Sequence, residues 1–170
     1  MLHKLRSTLT TAGILFGGGF PRGPQAALRR ASQRAIFYVQ RELEVSVSEE
    51  DLAITLCDRG TVDCLAYWEA APERFWQDLG TSHAAELARY AAVIHLRPGQ
   101  GYDHSNPMRI ETAEEAAALD QRIAGVWEPH PSRVIIDSSS SFLDKLDAAI
   151  DAIRRQLPAG CGPAGGAANR

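Results

Sequence analysis

Lysine is nearly missing from this chain: of its 18 basic residues only Lys4 and Lys145 are lysines, and the others are arginines. Arginine-dominated positive charge suits two-point recognition of phosphate or carboxylate, although GC-rich coding produces the same bias. Overall basicity is missing too. A formal net charge of −3 provides no basic face for general nucleic-acid binding. Cysteine is sparse and odd in number, and Cys57, Cys64 and Cys161 lack Cys-x-x-Cys spacing, so neither a disulfide framework nor a zinc site is indicated. Of the five histidines, His83, His95, His104 and His130 likewise lack metal-ligand spacing. No apolar run approaches the roughly 18 residues of a membrane span. Lys4 and Arg6 are not followed by the continuous apolar stretch of a secretory leader, so the expected location is the cytoplasm.

What remains is an ordinary globular composition, 45% apolar and 23% charged over 170 residues, enough for one domain with a real core. Periodicity divides it. Leu2, Leu5 and Leu9 share a helical face, which predicts a short amphipathic helix over 1–9; Gly13 to Pro24 reads as a glycine- and proline-rich loop. A helix is expected over 25–45, a strand over 53–58, and a helix after Thr61 as its cap. Pro72 opens a further helical turn, 84–90 is short and helical, and 91–96 is a second strand. After a polar loop over 97–108, Thr112 with Glu114 and Glu115 starts a helix reaching Trp127. A third strand, 133–137, and a polar cap at 138–141 lead to a last helix over 142–157, with an apolar stripe of Leu143, Leu146, Ile150, Ile153 and Leu157. Residues 158–170 lack periodicity and are expected to be a disordered tail.

Apolar strands alternating with helices predict an α/β protein with a parallel sheet, whose ligand edge lies beyond the strand C-termini. The segment Leu52 to Gly60 is the clearest case, an apolar run ending in Asp58, Arg59 and Gly60. Arg97 and Asp137 fall at the same edge, while Cys57 reads as a small core residue. Asp63, one helical turn beyond Asp58, is a helix-start charge or a substrate contact. Arg22 sits in the glycine/proline loop, as a binding residue or a solvated charge. Arg34, with Arg29, Arg30 and Arg41, lies on a solvated helix face, or Arg34 is a substrate contact. Trp68, Trp76 and Trp127 are expected in the core or a crevice wall.

Phe20-Pro21-Arg22, Gln33-Arg34-Ala35-Ile36-Phe37, Cys57-Asp58-Arg59-Gly60-Thr61-Val62-Asp63 and Ala66-Tyr67-Trp68 together resemble the AAA_28-type ATP-binding proteins. These are P-loop NTPases related to NadR-type and nucleotide kinases. Asn106-Pro107-Met108-Arg109-Ile110-Glu111 is similar to that group's lid, and the resemblance runs from about Ala12 to about Leu157. It implies a three-layer kinase-type core over 1–157 that binds ATP with Mg²⁺ and acts on an unidentified small-molecule acceptor. It further implies Asp58 as base or magnesium-organising carboxylate, Arg59 and Arg22 on phosphate or substrate, and Arg109 as the lid arginine. Phosphoryl transfer is mostly positioning and neutralisation of spread negative charge, which those roles supply.

The chain departs from the family at one place. It contains no Gly-x-x-x-x-Gly-Lys-Ser/Thr segment, the loop whose amides and lysine hold phosphates; Gly17-Gly18-Gly19 lacks the lysine, and Lys4 and Lys145 follow the wrong residues. The expectation is therefore a domain without its first, central strand, with Met1 falling inside the helix that follows the phosphate loop, or a gene start placed too late. An exposed sheet edge would then favour self-association. A catalytically inactive binding or regulatory protein is the alternative reading.

Overall fold

The computed structural model describes residues 5–8, 11–48, 54–98, 112–137 and 141–157. Within them, strands β1 (Leu5–Thr8), β2 (Ile54–Cys57), β3 (Val93–Leu96) and β4 (Arg133–Ile136) alternate with helices α1 (Thr11–Gly17), α2 (Ala26–Ser48), α3 (Asp63–Ala66), α4 (Pro72–Leu79), α5 (His83–Leu87), α6 (Ala113–Val126) and α7 (Phe142–Gln156). All pairing is parallel: Leu5 registers with Ile54 and Thr8 with Cys57, and Val93 registers with Arg133 and Leu96 with Ile136. The α/β class expected from the sequence is what forms. The strands do not join into one sheet, however. Among the described residues β1–β2 and β3–β4 are separate two-stranded ladders.

The core lies among helices and the loop after β2, and it is aromatic. Phe75 is fully buried, with ring centroids 4.7 Å from Trp76, 5.0 Å from Trp68 and 6.2 Å from Phe37. Val62, Leu79, Leu87, Ile123 and Trp127 complete this cluster. Each such fully buried side chain contributes roughly 1.5–3 kcal/mol by leaving water. The helix ends follow local chemistry. Pro72 occupies the first turn of α4, where its missing N–H costs nothing, and Gly80 closes that helix in the left-handed region. Thr112 and Glu115 form a reciprocal capping box at the start of α6, and Ser141 accepts from Asp144 N–H at the start of α7.

Several expectations fail for identifiable reasons. Residues 5–8 form strand rather than helix, because pairing with β2 satisfies a backbone whose Ser7 and Thr8 are poor helix formers. The glycines after Phe16 end a helix instead of making a long loop: Gly18 N–H donates to Ile14 O at 2.9 Å and Phe20 N–H to Leu15 O at 2.9 Å, with Gly19 at φ +90°. Thr61 does not cap α3; its hydroxyl donates to the buried carboxylate of Glu86 at 2.9 Å. Cys57 is only half-buried and borders a cleft. The stripe on α7 is incomplete, since its buried residues are Ala149 and Ala152 while Leu143 and Leu146 are 66% and 42% exposed. Residues 138–140 and 158–170 lie outside the described residues.

Gly60 is where sequence and packing meet most tightly. A Cβ there would stand 2.7 Å and 2.9 Å from two ring carbons of Trp127 and 3.0 Å from Tyr90. Trp127 is tied to Asp63, and Tyr90 to Thr61 and Glu44, so a shift of either ring would cost a hydrogen bond. Gly60→Ala is expected to destabilise the fold by about 1–3 kcal/mol, read as a lower urea midpoint with an unchanged slope.

Candidate functional site

The loop following β2 is fixed from three directions. Gln40 Nε2 donates to Arg59 O at 3.0 Å, Thr61 N–H donates to the Tyr90 hydroxyl at 2.7 Å, and that hydroxyl donates to Glu44 at 2.8 Å. Arg59 is the single non-glycine described residue at positive φ, +95°, a conformation that costs on the order of 1–3 kcal/mol and persists only where surroundings enforce it. Behind the loop Glu86, 1% exposed, accepts from Thr61 and Thr81 at 2.9 Å and faces Arg41 and Arg89, each at 3.4 Å.

In front of the loop opens a cleft of about 690 Å³. Cys57, Asp58, Arg59 and Asp63 border it on one side, with β3 from Val93 to Leu96 and then Arg97 on the other. Leu119, Asp120, Ile123 and Trp127 of α6 form a further wall, and Lys145 of α7 borders it too. Lys145 Nζ donates to Arg97 O, tying α7 to the end of β3. Its volume lies in the range of small-molecule sites.

Two carboxylates in this cleft behave oppositely. Asp63 is buried, and its oxygens accept from Trp127 Nε1 at 2.6 Å and from Gly60 N–H at 3.1 Å. Desolvation pushes its carboxyl up from 3.8, against the opposing influence of Arg59 and those hydrogen bonds. Asp120 accepts from His95 Nε2 at 2.7 Å and from Arg97 Nε at 3.0 Å. Desolvation acts to raise it, but the His95 and Arg97 bonds prevail and hold its carboxyl below 3.8.

The residues expected at the site divide among places. Asp58, Arg59 and Asp63 come together at the cleft, though both Asp63 oxygens are engaged by Trp127 and Gly60. Arg22 stacks over Phe16, 4.7 Å from the ring centroid. Arg34 borders a different groove, between α2 and α4, and pairs with Asp78 at 3.6 Å. Arg109 and its neighbours 106–111 lie outside the described residues. The chain reading missed the His95–Asp120–Arg97 cluster and Glu86. Strand alternation could have put His95 on the same face as Val93, but nothing local identifies a partner 25 residues away.

Parallel strands alternating with helices, and an acid–arginine pair at a strand end beside a ligand-sized cleft, mark the ligand edge of an α/β protein. The chain belongs to the AAA_28 family, an AAA domain, whose pattern matches residues 17–145. That family is one of AAA-type P-loop NTPases, which use a nucleotide and Mg²⁺ in general. No curated protein and no solved structure matches the chain. Among the described residues no helix is long and apolar enough to cross a membrane.

Among the described residues no group of three or more His, Cys, Asp or Glu side chains could hold a metal ion by itself, whereas magnesium carried by a nucleotide needs only one or two carboxylates beside the phosphates. The glycine triplet provides no amide cradle, because Gly18 and Gly19 N–H groups are spent closing the C-terminus of α1, the negative end of that helix.

Protonated Asp63 contributes stability that is full below the unfolded value of 3.8 and is lost as pH rises through its raised folded pKa. Asn at this position carries no such dependence. The stability of the parent protein relative to Asp63→Asn should therefore fall as pH rises above 3.8, measured by urea unfolding at each pH; an advantage that grows with pH would show Asp63 to be held as the anion. Asp120 acts in the reverse sense, its contribution present above 3.8 and lost as acid protonates it.

Proposed function

We propose that this AAA domain is nucleotide-kinase-like and that the cleft beside Asp58 and Arg59 is the substrate-binding half of a phosphoryl-transfer site. The observation that carries the reading is the strand-end pair itself, presented by a loop whose main chain is pinned by Gln40 and Tyr90 with Arg59 at φ +95°. Asp58 would take the proton of an acceptor hydroxyl, while Arg59 would face the anionic part of the ligand. Arg97, already oriented by Asp120, would add positive charge from the opposite wall. Arg109 is assigned to a lid on the family resemblance alone. The acceptor is a small molecule whose identity these residues do not specify.

The fold reading goes with it. β2 and β3 each have a ladder partner on one side, and they are not hydrogen-bonded to each other. One further parallel strand seated between them would convert the two ladders into a five-stranded sheet and bring a phosphate loop to the rim of the cleft. No Gly-x-x-x-x-Gly-Lys-Ser/Thr segment occurs in the 170 residues. The second reading, a nucleotide-binding or regulatory protein without turnover, is favoured by that absence for the chain as it stands.

ATP with Mg²⁺ is accordingly expected to bind the 170-residue protein only at about millimolar Kd or weaker, near −4 kcal/mol, with no phosphate release above background. Isothermal calorimetry and a phosphate-release assay measure the two. Micromolar binding that Arg59→Ala abolishes would overturn the expectation of an incomplete phosphate site. Arg59→Gly is expected to leave stability unchanged or raise it by about 1 kcal/mol, since glycine adopts that backbone without strain, while still removing the guanidinium.

A further inference from the structure

The groove between α2 and α4 has a charge arrangement that the cleft does not explain. It measures about 360 Å³ and is bordered by Ala27, Arg30 and Arg34 from one side and by Ala70, Arg74 and Asp78 from the other. Ala27, Arg30 and Arg34 share one face of α2 and Arg74 and Asp78 one face of α4, while Ala70 borders the groove from the segment before α4. Three arginines and one aspartate therefore border it. Arg30 and Arg34 are one helical turn apart on α2, where like charges repel.

The neighbouring arginines show what is unusual. Arg29 pairs with Glu69 at 2.5 Å, Arg89 with Glu44 at 2.5 Å, and Arg41 with Glu86 at 3.4 Å. Arg34 reaches Asp78 only at 3.6 Å, and Arg30 and Arg74 have no ion-pair partner among the described residues. An ordinary solvated helix face has mixed charges that satisfy one another. Here the residues bordering the groove carry a surplus of two positive charges, on arginines drawn from two helices.

We infer that this groove binds a compact, multiply charged phosphate anion of the phosphate-monoester or pyrophosphate class. Guanidinium forks match phosphate oxygens two at a time, and three of them around one hollow neutralise a charge of two or more. Size argues in the same direction: about 360 Å³ stands at the small end of ligand sites, so a phosphate headgroup fits better than a whole nucleotide. Asp78 sets the limit on affinity, because it competes for Arg34 and repels the incoming anion.

The test is titration of the full chain with inorganic pyrophosphate at low salt, followed by calorimetry and by amide chemical shifts. Binding is expected to weaken roughly tenfold in Arg30→Gln and in Arg74→Gln, and to tighten about threefold in Asp78→Asn. Arg155→Gln on α7 should leave it unchanged, and Arg59→Gln at the cleft is titrated in parallel. A loss confined to Arg59→Gln would move the anion to the cleft, and equal losses in every arginine variant would reduce it to net-charge attraction; either result overturns the assignment, as does failure of Asp78→Asn to bind more tightly. All of these side chains are at least partly exposed, and an unchanged thermal midpoint confirms that each variant is folded.

Discussion

The buried carboxylate of Glu86 is the constraint on which the architecture turns. A charge with 1% exposure is tolerable only when it is fully paired, and Glu86 collects hydroxyls from Thr61 and Thr81 and guanidiniums from Arg41 and Arg89. Those partners come from α2, from the loop after β2, and from the segments before and after α5. One anion thus joins segments separated by 45 residues. Glu44 extends the network through Arg89 and Tyr90, and Tyr90 returns to the loop at Thr61. Burial and the charge of Glu44 push the Tyr90 phenol well above its ordinary value, so it stays a neutral donor and acceptor. The fixed loop is what gives the cleft a defined wall.

Much of the fold was legible because it is written locally. Apolar runs marked β2, β3 and β4, Thr112 and its acids marked α6, and the long periodic stretches became α2 and α7. The failures share a cause. Leu5–Thr8 becomes a strand through a partner almost fifty residues away, and Thr61 abandons capping for a carboxylate on α5. Non-local satisfaction outweighed local propensity in both cases. The Gly13–Pro24 stretch erred in the opposite direction, because glycines that end a helix have the same composition as glycines that make a loop.

The site was legible in part for the same reason. Asp58 and Arg59 stand out as charges closing an apolar run, and the structure sets both at the cleft. Arg34 and Arg22 were equally conspicuous in the chain, yet one faces a separate groove and the other lies over Phe16. Charge is visible in a sequence; the surface it lands on is not. His95 and Asp120 were overlooked because each is unremarkable until β3 and α6 are brought together.

The pinned loop has a consequence for the thermodynamics of recognition. Its main chain is tied at Arg59 O and at Thr61 N–H, so the backbone pays its ordering cost during folding, before any ligand arrives. A ligand meeting Arg59 would then have to restrict only the torsions of one side chain, a cost of about 2 kcal/mol at most, instead of freezing a loop at 1–2 kcal/mol per residue. Association at this rim should accordingly show a small entropic penalty and little change in backbone conformation, which is the behaviour of a rigid receptor and not of one that folds around its guest.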